Sequence, residues 1–194
     1  MLKKHTLSTL KNLFFIGFSS ILFGTGISIL APRSSYSFEI QWNPEPGYRR
    51  LKYHQSADEP LERATYFLFL RGSERKENII KLTLKVPDYF DAKIKPDKLS
   101  LCKVIVGGYT ERTRCKENVP SVIEVNENQT SIEIFPERPI PRNKDNYAVV
   151  MKLFNPRKPG MFQFQARSQS QRPGEIPIST YLGTWNISVV KDPG

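Results

Sequence analysis

The stretch KYHQSADEP sets His54 beside Ser56 and Asp58, the side-chain types of a general base, a nucleophile and an orienting acid. Such a triad is assembled in space from separate elements, and its hydrolase form usually announces itself by a GxSxG turn, which the chain lacks. The sequence has only 2 histidines, and His54 is the one beyond the N-terminal segment. In so polar a segment it reads as a surface histidine. The other hydrolytic chemistry open to the chain is a carboxylate pair of the glycosidase kind, drawn from Asp58, Glu59, Glu62, Asp88 or Asp91. Only the separation of two carboxylates in space is diagnostic there, so sequence nominates no pair. The expectation is a protein with no catalytic residues that is not an enzyme, with a small hydrolase of this second kind as the alternative.

Metal and phosphate chemistry have as little support. Cys102 and Cys115 are the only 2 cysteines, no CxxC is present, and His54 alone cannot complete a closed zinc site with them. The glycines of VGGY end a β-type run and fit a turn or bulge rather than a phosphate cradle. The acidic stretches DEPLE and DYFD lack the spacing of a calcium loop. No cofactor is called for.

The elements that would carry any site are set by where the chain goes. Lys3, Lys4 and Lys11 precede LFFIGFSSILFGTGISIL, an uncharged run from Leu13 to Leu30, and small residues follow in APRSSYS. A basic flank, an apolar stretch and small residues are the signature of export. The run is long for a signal-peptide core and short for a spanning helix of about 20 residues, so both readings stand: residues 1–37 are a cleaved signal peptide or a retained membrane anchor. The domain then covers residues 38–194 and lies in the periplasm, the envelope or outside the cell. An oxidising compartment favours a Cys102–Cys115 disulfide, worth about 3 kcal/mol by loop-closure entropy and serving to pin VGGYTERTR.

Beyond residue 37 no helical period persists over ten residues. Instead ATYFLFLR, ENIIKLTLKVPD, KLSLCKVIVGG, PSVIEVNE, TSIEIFPE, NYAVVMKLFNP, GMFQFQARSQ and YLGTWNISVV recur between Asn, Gly, Pro and charged turns. Several alternate apolar with polar residues, the mark of a strand with one buried face. Short strands at this spacing imply a single all-β antiparallel β-sandwich, immunoglobulin-like among the architectures of that type, following the N-terminal hydrophobic helix. The expected core comprises Phe67, Phe69, Leu82, Leu84, Ile132, Ile134, Phe162, Phe164, Trp185 and Ile187, with Gln163, Gln165 and Arg167 facing water.

ATYFLFL, ENIIKLTLKVPD, IFPERPIPRNKDNYAVVMKLFNPRKPGMFQFQA and YLGTWNISV, in this order, resemble the cyanobacterial domain of unknown function 2808. The most specific part is Asn155-Pro156 followed by Gly160, Phe162 and Phe164, with Leu182-Gly183 downstream. The resemblance implies a small exported β-rich protein and brings no activity, ligand or catalytic residue with it.

Charge supplies the remaining expectation. Of the formal +10, Lys3, Lys4, Lys11 and Arg33 in the acid-free N-terminal segment account for four, leaving +6. Pairs such as Arg49/Arg50, Arg75/Lys76, Lys93/Lys95 and Arg112/Arg114 are scattered, as on a solvated surface. GYRRLKY and GYTERTR interleave arginine with aromatic residues, a pattern seen in nucleic-acid binders whose chemistry also suits other polyanions. Export removes nucleic acid as partner, so Arg49, Arg50, Arg112 and Arg114 are the candidate anion-binding residues, with an acidic envelope polysaccharide or an anionic membrane surface as partner. The expected function is a non-enzymatic cell-envelope module acting by contact.

Overall fold

A computed structural model of the protein describes residues 39–40, 47–170 and 176–191. The chain divides into two units, Met1–Ser35 and Tyr36–Gly194, and all described residues belong to the second. The expected N-terminal helix, signal or anchor, therefore lies outside the described residues. Among those described, no helix is long and apolar enough to cross a membrane.

Among the described residues there are eleven strands. They are β1 (Glu39–Ile40), β2 (Tyr53–Gln55), β3 (Arg63–Leu70), β4 (Lys81–Lys85), β5 (Leu99–Ile105), β6 (Arg114–Val119), β7 (Ser121–Val125), β8 (Ser131–Pro136), β9 (Tyr147–Phe154), β10 (Gly160–Ser170) and β11 (Ile178–Val189). Short 3-10 turns span Gly72–Glu74 and Pro96–Lys98. One sheet runs β1-β10-β4-β8-β7 with β11 also on β10; the other runs β2-β3-β9-β5-β6. Every ladder is antiparallel except β1, which lies parallel to the start of β10. The two sheets pack face to face as the all-β sandwich that the alternating runs require.

The core lies between them. Leu82 and Leu84 of β4, Ile132 and Ile134 of β8, Phe162 and Phe164 of β10, and Trp185 and Ile187 of β11 are all buried. Phe90, on the segment after β4, sets its ring edge-on to Phe162 and Phe164 at 5.1 and 4.9 Å, an arrangement aromatic quadrupoles favour. The Trp185 indole crosses the core and donates to the Phe69 carbonyl at 3.2 Å.

Two expected core residues sit elsewhere. The inward side chains of β3 are Tyr66, Leu68 and Leu70, whereas Phe67 and Phe69 point out of the sandwich into a small second cluster with Cys102, Val104, Ala148 and Val150. ATYFLFLR is apolar on both faces, so its alternation cannot say which set faces in. Gln163 is a second correction: it points away from the core, as its alternation with Phe162 and Phe164 requires, yet it is buried, as are Thr184 and Asn186. Asn186 donates to the Tyr48 hydroxyl at 2.9 Å.

β6 is a strand that no sequence pattern marked. Its residues RCKENV are almost all exposed, because it forms an outer edge with no apolar face to bury. The free edge of β11 is closed differently. The main chain of Thr184 exchanges hydrogen bonds with Arg49 and Leu51, Tyr53 accepts from the Ser188 amide, Gln55 donates to the Ser188 carbonyl, and the Val190 amide reaches Asp58. Residues 49–58 thereby seal an edge that would otherwise be open to pairing with another chain. Gly183 makes room for them: a Cβ there would lie 2.7 Å from the Arg49 carbonyl, and its φ of +154 is one that side chains rarely adopt. This gives Leu182-Gly183 a structural reason, at the bulge in the β10–β11 ladder.

Candidate functional site

The residues that could have formed a hydrolase stay at the surface. His54, on β2, is exposed, with its ring 6.1 Å from that of Phe67. The Ser56 hydroxyl accepts from the Thr65 amide at 2.9 Å, a structural bond at the entry to β3. Asp58, Glu59, Glu62, Asp88 and Asp91 are all exposed, and Asp91 accepts from the Arg157 amide at 3.0 Å. None of them occupies the kind of apolar pocket that holds a glycosidase acid protonated. Among the described residues no three of His, Cys, Asp and Glu are grouped to hold a metal ion.

Two buried polar knots belong to the scaffold. Asn155 is 2% exposed; its carboxamide accepts from the Tyr66 hydroxyl and donates to the Ala57 and Glu59 carbonyls at 3.2 and 2.7 Å. Its amide donates to the Glu62 carbonyl, so this one residue ties the 57–62 turn to the end of β9. Burial, joined by the neighbouring Tyr53 and Asp58, pushes the Tyr66 phenol well above the ordinary tyrosine range. The Asn155-Pro156 motif thus serves the fold. The second knot corrects the surface reading of Arg75, which is 3% exposed. Its guanidinium donates to the carbonyls of Leu70, Pro141, Asn143 and Asp145 and lies 4.8 Å from the Tyr147 ring. Burial pulls its pKa below the usual arginine value, opposed by Tyr147, Asp145 and Glu74.

Cys102 on β5 and Cys115 on β6 are joined by a disulfide, with Cα atoms 5.7 Å apart. It closes the hairpin at whose tip Gly107 donates to Thr113 and Gly108 to Glu111. The four arginines singled out from sequence are exposed, but the fold does not bring the two pairs together. Arg49 and Arg50 lie along β11 ahead of β2, with the Arg49 carbonyl accepting from the Thr184 amide, whereas Arg112 precedes β6 and Arg114 opens it, at the far edge of the second sheet. Four strand spacings of about 4.8 Å separate β2, into which Arg49 and Arg50 lead, from β6, about 19 Å in all. Arg114 also pairs with Glu111 at 2.6 Å.

A different set of cations converges. Between Phe90 and Lys95 the chain alternates buried with exposed residues, Phe90, Ala92 and Ile94 seating in the core. Asp91, Lys93 and Lys95 are thereby turned outward. Across from this segment lie the outward residues of β3 and β9, where Arg63 stands opposite Phe154 and Thr65 opposite Lys152. Together they bound a surface groove of about 580 Å³ lined by Arg63, Lys93, Lys95, Lys98, Lys152 and Phe154, with Thr65 and Leu153. Among the described residues, no carboxylate lines it. Lys98 pairs at 3.2 Å with its neighbour Asp97, and the remaining four cations have no ion pair among the described residues. The Arg63 guanidinium lies 5.3 Å from the centre of the Phe154 ring, which is 57% exposed. Sequence reading passed over this set because its members come from three separate segments. The one local signal was Lys93/Lys95, spaced by two in an alternating stretch, which are bound to share a face.

The fold and this groove define a disulfide-bearing β-sandwich domain with a basic surface cleft. Residues 35–189 match the family described as Protein of unknown function (DUF2808). The chain belongs to that family. No curated protein matches. Among solved structures the chain is similar to BslA, a bacterial hydrophobin (11% identity, TM-score 0.47, 74% of this chain and 98% of that one). It is similar as well to the collagen-binding domain of a Staphylococcus aureus adhesin (13%, 0.39, 72% and 97%). A third is an uncharacterised Nocardia farcinica protein with an immunoglobulin-like fold (10%, 0.39, 73% and 99%).

Proposed function

We propose that residues 1–37 direct or tether an exported domain of residues 38–194, and that this domain acts by contact with an anionic component of the cell envelope, without turnover. The observation that carries the reading is the convergence of Arg63, Lys93, Lys95, Lys98 and Lys152 on a groove with no carboxylate among the described residues that line it. Like charges brought together repel, and a surface evolved for solubility alone intersperses the two signs. The disulfide supports an oxidising compartment. Arg49 and Arg50, beside β11, and Arg112 and Arg114, at β6, would add to the long-range field rather than form a joint site.

The test is retention of the chain on immobilised anionic polymers, against a neutral polymer, as salt is raised. Attraction between exposed charges should fade between 0.1 M and 1 M salt, as the Debye length falls from about 10 Å to about 3 Å. Replacing Lys93, Lys95 and Lys152 with serine should weaken retention more than replacing Arg49, Arg50, Arg112 and Arg114. Equal loss from both sets would mean that net charge alone is at work. Absence of retention by the parent chain at low salt would refute the anionic partner.

A further inference from the structure

The groove holds an aromatic ring among its cations, and that combination narrows the ligand. We infer that the groove takes an acidic polysaccharide chain, with carboxylate or sulfate groups against Arg63, Lys93, Lys95 and Lys152 and a sugar ring stacked on Phe154. The inference rests on the anionic-partner reading and specifies its site and chemistry. Phe154 is the last residue of β9, and its ring keeps more than half its surface in solvent although a charged neighbour covers part of it. An exposed phenylalanine offers nothing to a simple polyanion such as polyphosphate, since its face is the negative pole of the ring quadrupole. A sugar ring is a different matter. Its axial C–H bonds carry partial positive charge and form an apolar face that stacks on that negative pole, while its acidic substituents project from the rim. The Arg63 guanidinium, 5.3 Å from the ring centre, sets a cation within reach of the acidic substituents of a sugar stacked on the ring's open face.

A bilayer surface fits less well. The Pro96–Lys98 turn and the Lys93–Lys95 segment wall one side of the groove, and β3 and β9 form the other. Lysines set within a concavity do not all reach a plane of headgroups, whereas a chain can lie along it. Of the other apolar residues on the same outer face, Phe69, Ala148 and Val150 are buried and so unavailable for insertion, and Phe67 is only partly exposed.

The experiment uses the full-length chain in a non-ionic detergent and measures affinity for polygalacturonate and for polyphosphate of matched charge. Serine at Lys93, Lys95 and Lys152 should weaken both by about tenfold. Phe154→Ala should weaken polygalacturonate alone, by about two- to tenfold, and Phe154→Trp should restore it. If Phe154→Ala affects both polymers equally, or neither, the sugar-stacking inference is overturned while the anionic-partner reading stands. If neither polymer binds at low salt, that broader reading fails. Amine footprinting completes the test on the chain reconstituted into neutral or anionic vesicles. Protection of Lys93, Lys95 and Lys152 by polygalacturonate supports the proposal; protection by anionic vesicles in its place assigns the groove to a membrane and overturns it.

Discussion

The outer face of the second sheet has two halves built from the same strands. Toward one end, β3 and β9 present Phe67 opposite Val150 and Phe69 opposite Ala148, continued on β5 by Cys102 and Val104. Toward the other end the same two strands present Arg63 opposite Phe154 and Thr65 opposite Lys152. One step of the alternation, from Thr65 and Lys152 to Phe67 and Val150, changes the face from a cationic groove to an apolar cluster that includes the disulfide-bonded Cys102. The inner face of these strands shows no such change: Ala64, Tyr66, Leu68 and Leu70 of β3 meet Val149, Met151 and Leu153 of β9 in one continuous core. Inward residues answer to a single requirement, the exclusion of water. Outward ones can be divided between stability and contact, and that division is open to experiment.

The largest contrast lies between the inner core and the apolar half outside it. Trp185 and Phe164 are fully buried, and replacing either with Ala should lower stability by about 3–5 kcal/mol through lost burial and the cavity left behind. The Trp185 variant also deprives the Phe69 carbonyl of its indole donor. Phe67 is only partly buried, so Phe67→Ala should cost about 1–2 kcal/mol. Denaturant midpoints at unchanged slope would report the difference. Equal losses from Phe67 and Phe164 would show that the outer cluster is as much a core as the inner one.

Next in size is the disulfide, which ties the edge strand β6 to the apolar half. Reduction, or alanine at both cysteines, should remove about 3 kcal/mol. The loss should be felt first at β6, whose exposed residues give it little else to hold it. Amide exchange in Arg114–Val119 should accelerate on reduction well before exchange in β9 does. Simultaneous acceleration of both strands would mean that the bridge supports the whole sheet rather than its edge.

This division explains how much could be read from sequence. Strands with one polar face, such as KLTLK in β4 and FQFQ in β10, declare their inward residues by polarity, and Leu82, Leu84, Phe162 and Phe164 are where alternation puts them. β3 gives no such declaration, since its outer face is half apolar, and its inward set came out as Tyr66 and Leu68 rather than Phe67 and Phe69. β6 escaped notice because an exposed edge needs no apolar period. The cysteine pairing was legible because only one pairing existed. The groove was not: Arg63, Lys93 and Lys152 are brought together by register and by the burial of Phe90, Ala92 and Ile94, and neither is visible before the strands are aligned. Arg49/Arg50 and Arg112/Arg114 stood out through adjacency in the chain, a property that says nothing of nearness in space.

The smallest expected effect on stability is at the basic half, and it separates contact from support most sharply. Lys93, Lys95 and Lys152 are exposed, form no ion pair among the described residues and lie beside one another and Arg63. Their serine variants should therefore shift the denaturation midpoint by no more than about 0.5 kcal/mol, the usual range for surface positions. The sign should be toward greater stability at low ionic strength, because removing like charges relieves repulsion, and the shift should vanish at 1 M salt, where the Debye length is about 3 Å. A destabilisation of 2 kcal/mol or more would place these lysines with Arg75, as structural cations whose partners lie in the fold, and the groove would lose its claim to be a surface kept for contact.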